Sequence, residues 1–138
     1  MSLRELSLWW DQLAASEINA NRAQAAGNIE CDVVIVGAGY TGLWSAYWLK
    51  KLRPELDVVM VEAEVVGFGA SGRNGGWCSA LFPASLDKIA QSSSRDGAIA
   101  MHRTMQNYIS FIGQTLRSEN IDCDWHHGGN IYPVSYTH

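Results

Sequence analysis

The pattern of apolar and polar positions predicts a strand, a helix and a second strand in the first half of the chain. Residues 31–36 are an apolar, β-branched run that ends at Gly37, which is typical of a parallel strand covered on both faces. Residues 42–52 carry apolar side chains around most of a helix, which we expect to be largely buried and to end before Pro54. Residues 57–61 repeat the β-branched run, so the unit predicts two parallel strands joined by a right-handed crossover.

The second half of the chain predicts two helices and a hairpin. Residues 85–91 begin with a serine suited to capping and predict a short helix. Residues 96–116 place apolar side chains at helical spacing, with an aspartate in the favourable first turn. Residues 121–125 alternate apolar and polar side chains, and two glycines separate them from residues 131–132, which predicts a hairpin.

The segment before the first strand predicts an appendage to the folded part. Residues 3–18 have apolar side chains near helical spacing but with gaps, which indicates a short amphipathic arm. Residues 19–28 are rich in Ala, Asn and Gln and predict a linker. The expected organisation is therefore an arm and linker over residues 1–28, followed by an α/β, Rossmann-like domain over residues 29–138.

A glycine-rich hexapeptide lies where the first predicted strand meets the first predicted helix. Gly37 permits a tight turn, Gly39 lets a diphosphate approach the backbone, and Gly42 lets the helix pack closely on the strand. Unpaired N–H groups at the helix N-terminus favour a diphosphate, whereas a purely structural turn is the alternative. The residues of this GxGxxG motif are Gly37, Ala38, Gly39, Tyr40, Thr41 and Gly42.

Glu62 ends the second predicted strand, about 20 residues after Gly42, where an acid accepts hydrogen bonds from the adenosine ribose. A carboxylate at this position repels the 2′-phosphate of NADP, which leaves NAD and FAD as candidate cofactors. The alternative is an ordinary solvated glutamate at the end of a strand.

A second glycine-rich loop, residues 67–76, follows Glu62 and contains five glycines. It places a hydroxyl, a guanidinium and an amide close together, which suits a polar ligand, although a flexible surface loop is the alternative. On residues 32–42, Glu62 and residues 69–76, the sequence resembles the FAD-dependent oxidoreductases of the D-amino-acid oxidase and glycine oxidase (DAO) family. Within that family it is similar to the γ-glutamylputrescine oxidase-like amine oxidases, which often carry a Trp-Trp-Asp arm like that at residues 9–11.

The resemblance implies a site for FAD. In the family, residues that match Ser71, Arg73 and Asn74 lie against the diphosphate, the ribityl chain and the flavin ring, and the backbone at Gly75 and Gly76 comes near the cofactor. Some members attach FAD through a histidine in this loop, but this sequence has Arg73 and Asn74 there, so we expect non-covalent FAD. The residues expected to hold FAD are Gly37, Ala38, Gly39, Tyr40, Thr41, Gly42, Glu62, Gly69, Ala70, Ser71, Arg73, Asn74 and Gly75.

The resemblance also implies an activity for the parent enzyme. It implies oxidation of a carbon–nitrogen bond of an amine or amino acid by hydride transfer to the flavin, with oxygen as the acceptor. We expect the chain to be an N-terminal fragment, inactive alone, because only the first half of a doubly wound domain is readable and residues 134–138 do not resemble the family's continuation. No catalytic residue, substrate or oligomeric state follows. An NAD-dependent dehydrogenase and a non-catalytic nucleotide-binding fragment remain as alternatives.

Composition narrows the classes of protein. Apolar residues make up 47% of the chain and charged residues 17%, which suits a folded domain. The net charge of −4 offers no basic face, so we expect no nucleic-acid partner. No apolar stretch is long enough to span a membrane and the chain starts without a signal pattern, so we expect a cytoplasmic protein that acts on a small molecule.

The cysteines and histidines do not predict a metal site or a disulfide framework. Cys31, Cys78 and Cys123 are odd in number and widely spaced, and we expect them to be small buried residues. His126 and His127 are neighbours that would point to opposite faces of a strand, and no third ligand is evident.

Overall fold

A computed structural model describes residues 2–18, 22–129 and 131 and divides the chain into two compact units, Met1–Gly76 and Trp77–His138. The predicted α/β class is confirmed, since a parallel two-stranded sheet with an adjacent helix forms the centre of the first unit. The predicted boundary between an arm and a domain at residues 28 and 29 stays a prediction.

The arm folds as short helical pieces. A 3-10 turn, Leu3–Glu5, is followed by α1 (Leu8–Gln12) and α2 (Ala15–Ile18). The Ser2 hydroxyl and the Glu5 carboxylate form a reciprocal capping box that stabilises the first turn. The gaps in the apolar pattern therefore correspond to breaks between helical pieces. Residues 19–21 of the predicted linker lie outside the described residues.

The sheet of the first unit pairs β1 (Val33–Val36) with β2 (Val58–Val61) in parallel, with Val33 opposite Val58. Between them along the chain lies α3 (Tyr40–Leu52), which begins two residues earlier than predicted. The strand, helix and strand order follows the prediction.

The prediction that the first strand is covered on both faces is wrong. Ile35 faces α3, because a Cβ at Gly42 of that helix would lie 3.2 Å from the Ile35 Cγ2 atom. Side chains alternate along a strand, so Val34 and Val36 point to the opposite face. They are 58% and 82% exposed, since no layer of the described chain covers that face.

The prediction that the first helix is largely buried is also wrong. None of its residues is buried, and Leu52 is 71% exposed. Its aromatic residues pack mainly on one another. The Trp44 and Tyr47 ring centroids are 5.8 Å apart, and those of Tyr47 and Trp48 are 5.0 Å apart. The aromatic side chains of this helix thus form a cluster with one another, because the small sheet covers only one side of the helix.

The second unit is built on two helices, as predicted. Ser85 caps α4 (Leu86–Ser92), and Ser94 caps α5 (Arg95–Ser118), which carries Asp96 in its first turn. The two helices pack against each other.

The predicted hairpin is wrong in its first strand, because residues 121–129 form no strand. Asn120 and Asp124 both have a φ of 53°, a left-handed conformation that interrupts an extended run. Trp125 packs instead on Gly113 of α5, where an added Cβ would meet its indole nitrogen at 2.7 Å. Residues 130 and 132–138, which include the rest of the hairpin, lie outside the described residues.

The expectations for the cysteines and for membrane-spanning segments can be compared with the structure. The expectation of buried cysteines is wrong, since Cys78 and Cys123 are exposed and Cys31 is half-buried. Few side chains of the described residues are buried at all, so small apolar residues have little interior to occupy. Among the described residues, no helix combines the length and apolarity needed to cross a membrane.

Candidate functional site

The hexapeptide lies at the junction of β1 and α3, and two of its glycines have a visible reason to be glycine. Gly37 has a φ of +99°, which L side chains rarely adopt. A Cβ at Gly42 would lie 2.1 Å from the Gly37 carbonyl oxygen, so a side chain would force the helix off the strand. The predicted roles of both glycines in turn geometry and close packing agree with these contacts.

The first two N–H groups of the hexapeptide are occupied by the end of β2. The Gly37 N–H donates to the Val61 carbonyl at 2.7 Å, continuing the ladder. The Ala38 N–H donates to Glu62 Oε2, also at 2.7 Å, and Ala38 is buried. These bonds fix the turn against both strands.

Three later N–H groups of the hexapeptide have no acceptor among the residues that the structure describes. They belong to the first turn of a 13-residue helix, where backbone dipoles add to a partial positive charge. No acidic side chain occupies that turn. The arrangement therefore favours a bound anion such as a diphosphate. The free N–H groups are those of Gly39, Thr41 and Gly42.

Residues 37–42, which form the turn and the start of α3, are called the cradle below. Glu62 is held as a carboxylate beside this cradle. Its Oε2 accepts from Ala38 N–H, and its Oε1 accepts from Glu64 N–H at 3.2 Å. These backbone hydrogen bonds, that from Ala38 first, lower the pKa of Glu62 from its ordinary value of 4.5. A carboxylate has about four acceptor positions, so Glu62 keeps capacity for ribose hydroxyls.

Replacing Glu62 with glutamine is expected to make stability less dependent on pH. Because the pKa is lowered on folding, the carboxylate stabilises the fold fully above pH 4.5 and loses this effect as the pH falls through the lowered pKa. Glu62→Gln should be slightly less stable than the unaltered chain at neutral pH and equal to it in acid, as measured by urea unfolding. Glu64→Gln is the control, and a difference for Glu62→Gln that does not change with pH would contradict the assignment.

The glycine-rich loop is tied to the cradle by hydrogen bonds. Gly67 N–H donates to the Ala38 carbonyl at 3.0 Å. The Ser71 hydroxyl, in a 3-10 turn over Ala70–Gly72, accepts from Tyr40 N–H at 2.9 Å. Asn74 Nδ2 lies 3.2 Å from the Tyr40 hydroxyl. The two glycine-rich segments, which are separate in the sequence, thus form one continuous backbone surface.

Arg73 and Asn74 also shape the loop itself. Arg73 Nε donates to the Phe68 carbonyl at 2.7 Å, and its guanidinium lies 4.5 Å from the centre of the Phe68 ring. Asn74 donates to the Ser71 carbonyl and accepts from Gly76 N–H, each at 2.7 Å. Both side chains remain exposed, and their contact with a cofactor stays a prediction.

The N-terminal arm contacts this loop, which the sequence did not predict. The Ser7 hydroxyl donates to the Gly72 carbonyl, and Trp9 Nε1 donates to the Asn74 carbonyl, each at 2.6 Å. Trp10 is 6% exposed and lies beside Gly72, where an added Cβ would be 3.1 Å from Trp10 Nε1. The adjacent tryptophans Trp9 and Trp10 could have indicated this contact, because large apolar side chains are uncommon in a segment that packs against nothing.

No group of three potential metal ligands occurs among the described residues, and the structure assigns no catalytic acid or base. Gly69 and Gly75 have open space where a Cβ would lie, so their backbone is accessible from that side. The structure thus brings the two glycine-rich segments together, and their binding of a cofactor stays a prediction.

Residues 32–137 match the protein family described as FAD dependent oxidoreductase. The chain is 41% identical over 102 residues to the gamma-glutamylputrescine oxidoreductase of Escherichia coli K12, covering 74% of this chain and 24% of that protein. It is 33% identical over 97 residues to the probable oxidoreductase OrdL of Haemophilus influenzae, covering 70% and 22%. No solved structure matches the chain.

The chain is also similar to a relative that is named for a different activity. The chain is 48% identical over 98 residues to the thiamine thiazole synthase of Yarrowia lipolytica, covering 67% of this chain and 31% of that protein. The chain spans about a quarter of the length of the first two relatives. Since relatives with different named activities are similar to this chain, the similarity does not by itself determine a substrate.

Proposed function

The chain belongs to the family of FAD-dependent oxidoreductases, and on this premise we propose that it forms the FAD-binding part of an amine or amino-acid oxidase. The proposed reaction oxidises a carbon–nitrogen bond, with oxygen as the final electron acceptor. FAD would supply the hydride acceptor for that reaction.

One observation carries the proposal: the N-terminus of α3 presents backbone N–H groups that no protein group of the described chain accepts. An unpaired N–H in a partly enclosed position is costly unless water or a ligand pairs with it. Gly39 has no side chain to cover these groups, so an oxygen-rich anion can reach them. The diphosphate of a dinucleotide has the charge and oxygen spacing for this position.

The chain's own residues have distinct roles in the proposed site. The N–H groups of Gly39, Thr41 and Gly42 would bind the diphosphate, and Glu62 would accept hydrogen bonds from the ribose hydroxyls. The glycine-rich loop, joined to the cradle through Ser71, would hold the remainder of the cofactor. The loop has Arg73 and Asn74 where some family members attach FAD through a histidine, so we propose non-covalent attachment.

The first test is to compare retention of FAD and of NAD. The chain is mixed with each cofactor in turn and passed through a gel-filtration column while absorbance is recorded. We expect the flavin absorbance to elute with the protein and to move to the supernatant after acid precipitation, because no covalent bond holds it. NAD should separate from the protein. Retention of NAD without FAD would favour a dehydrogenase and contradict the proposal.

The substrate part of the proposal is tested separately. The name of the Escherichia coli relative makes γ-glutamylputrescine the first amine to test. Because we expect this chain to be inactive alone, the test uses the flavin-loaded parent enzyme. Anaerobic addition to that enzyme should bleach the flavin absorbance, and air should restore it with formation of peroxide. A parent enzyme whose retained FAD no amine or amino acid bleaches would contradict the proposed reaction and leave FAD binding intact.

A further inference from the structure

We propose that the N-terminal arm is a clamp that holds the glycine-rich loop in the shape that binds the cofactor, with Ser7 and Trp9 as positioning residues. This inference rests on the proposed FAD site but makes a prediction about the loop that can be measured without FAD.

Hydrogen bonds within the arm stabilise its conformation independently of its contacts with the loop. Arg4 donates to the carbonyls of Asp11 and Leu13, at 2.6 and 3.0 Å, and so joins the start of the arm to the end of α1. The Ser7 hydroxyl accepts from Trp10 N–H at 3.4 Å as the cap of α1. The arm therefore presents its tryptophans from a short, capped helix.

The Ser7 hydroxyl is both a hydrogen-bond acceptor and a hydrogen-bond donor. Its oxygen accepts the N–H of Trp10, and its proton is donated to the Gly72 carbonyl at 2.6 Å. The same hydroxyl thus caps a helix of the arm and anchors the 3-10 turn that carries Ser71. Since Ser71 bonds the N-terminus of α3, two hydrogen bonds and a turn connect the arm to the cradle.

Trp9 and Trp10 enclose the loop at two glycines. A Cβ at Gly76 would lie 2.6 Å from the Trp9 ring, and one at Gly72 would lie 3.1 Å from Trp10 Nε1. Glycine at these positions lets the indole rings approach the loop backbone directly. Trp9 also donates to the Asn74 carbonyl, whereas the buried Trp10 Nε1 has no partner among the described residues.

A loop with this many glycines is flexible unless other groups restrict it. When the binding conformation is only a fraction of the population, the apparent dissociation constant rises in inverse proportion to that fraction. Removing the clamp so that about one tenth of the loops remain competent would weaken FAD binding about tenfold. The contacts of Ser71 and Asn74 with Tyr40 would be the first to be lost.

The two tryptophans allow a matched test in the full chain. Trp9→Phe removes an N–H that is bonded to the loop, whereas Trp10→Phe removes an N–H with no partner and keeps an aromatic ring against Gly72. Amide hydrogen exchange over residues 70–76, measured without FAD, should be about tenfold faster in Trp9→Phe and Ser7→Ala. It should change less than about twofold in Trp10→Phe and in the control Leu8→Ala, an exposed position of α1.

Restoration by a conservative change separates positioning from general stability. Ser7→Thr keeps the hydroxyl and should return both the exchange rates and the FAD dissociation constant to those of the unaltered chain. Ser7→Ala should also lower the thermal midpoint relative to Leu8→Ala, because it removes the cap of α1. Trp9→Phe leaves that cap intact and should have the same thermal midpoint as Leu8→Ala. Equal loop exchange in the unaltered chain, Ser7→Ala and Trp9→Phe would overturn the clamp.

The two proposals fail in different ways. Absence of FAD binding in the unaltered chain would overturn the proposed function and the role of the arm in cofactor binding, while the exchange rates would still decide whether the arm orders the loop. Faster loop exchange with an unchanged FAD dissociation constant would overturn the clamp as a device for cofactor binding and leave the proposed function standing.

Discussion

Replacing Gly39 with valine should abolish FAD binding while the chain remains folded. The backbone at Gly39 has a φ of −87°, so a valine can adopt it without strain. Its Cβ would lie 2.9 Å from the Ser71 hydroxyl oxygen, and its methyl groups would cover the N–H groups at the start of α3. Blocking two of the three N–H groups of Gly39, Thr41 and Gly42 would remove two charge-assisted hydrogen bonds, at about 1.5 kcal/mol or more each. This loss predicts a decrease in affinity of at least about 100-fold.

The measurement is equilibrium dialysis against FAD, together with circular dichroism to verify the secondary structure. Ser45→Val is the matched control, because it places the same side chain at an exposed position of α3 away from the first turn. We expect its FAD affinity to equal that of the unaltered chain. Retained binding in Gly39→Val would show that the cradle does not hold the cofactor.

Replacing Gly42 with alanine should lower the free energy of unfolding. In a helix, alanine is favoured over glycine by about 1 kcal/mol. Here the added Cβ would lie 2.1 Å from a backbone oxygen of Gly37, which cannot move without disturbing the turn. Overpacking of this kind costs about 3 kcal/mol, so we expect a net loss of about 2 kcal/mol in the free energy of unfolding.

Urea unfolding followed by circular dichroism measures this loss. Gly75→Ala is the control, because nothing lies within 4 Å of a Cβ at that position and its backbone is outside the left-handed region. We expect Gly75→Ala to unfold at the same urea concentration as the unaltered chain. If Gly42→Ala were as stable as the control, the close approach of α3 to β1 would be wrong.

The cradle could be predicted from sequence because its determinants are local. The roles expected for Gly37 and Gly42 correspond to a positive φ and to a contact with a carbonyl oxygen. Glu62 was expected at the end of the second strand, and it lies beside the cradle, bonded to Ala38. Each of these features depends on strand and helix geometry within one short unit. Their contact with a cofactor remains a prediction.

Features that depend on distant parts of the chain could not be predicted. A β-branched run such as residues 33–36 indicates a strand, but it does not reveal whether one or two layers cover that strand. The contacts of Ser7 and Trp9 with the loop join residues 65 positions apart, and no local pattern encodes them. The alternation at residues 121–125 indicated a strand, whereas left-handed backbone at Asn120 and Asp124 interrupts it.

The hydrogen bond between Ala38 and Glu62 has a consequence for the order in which the site assembles. It closes a segment of 24 residues, whereas the bonds from the arm to the loop each close 65. The longer closure costs about 1 kcal/mol more in chain entropy, and contacts between nearby residues form sooner than remote ones. The anion cradle should therefore form early during synthesis, and docking of the arm should complete the site last.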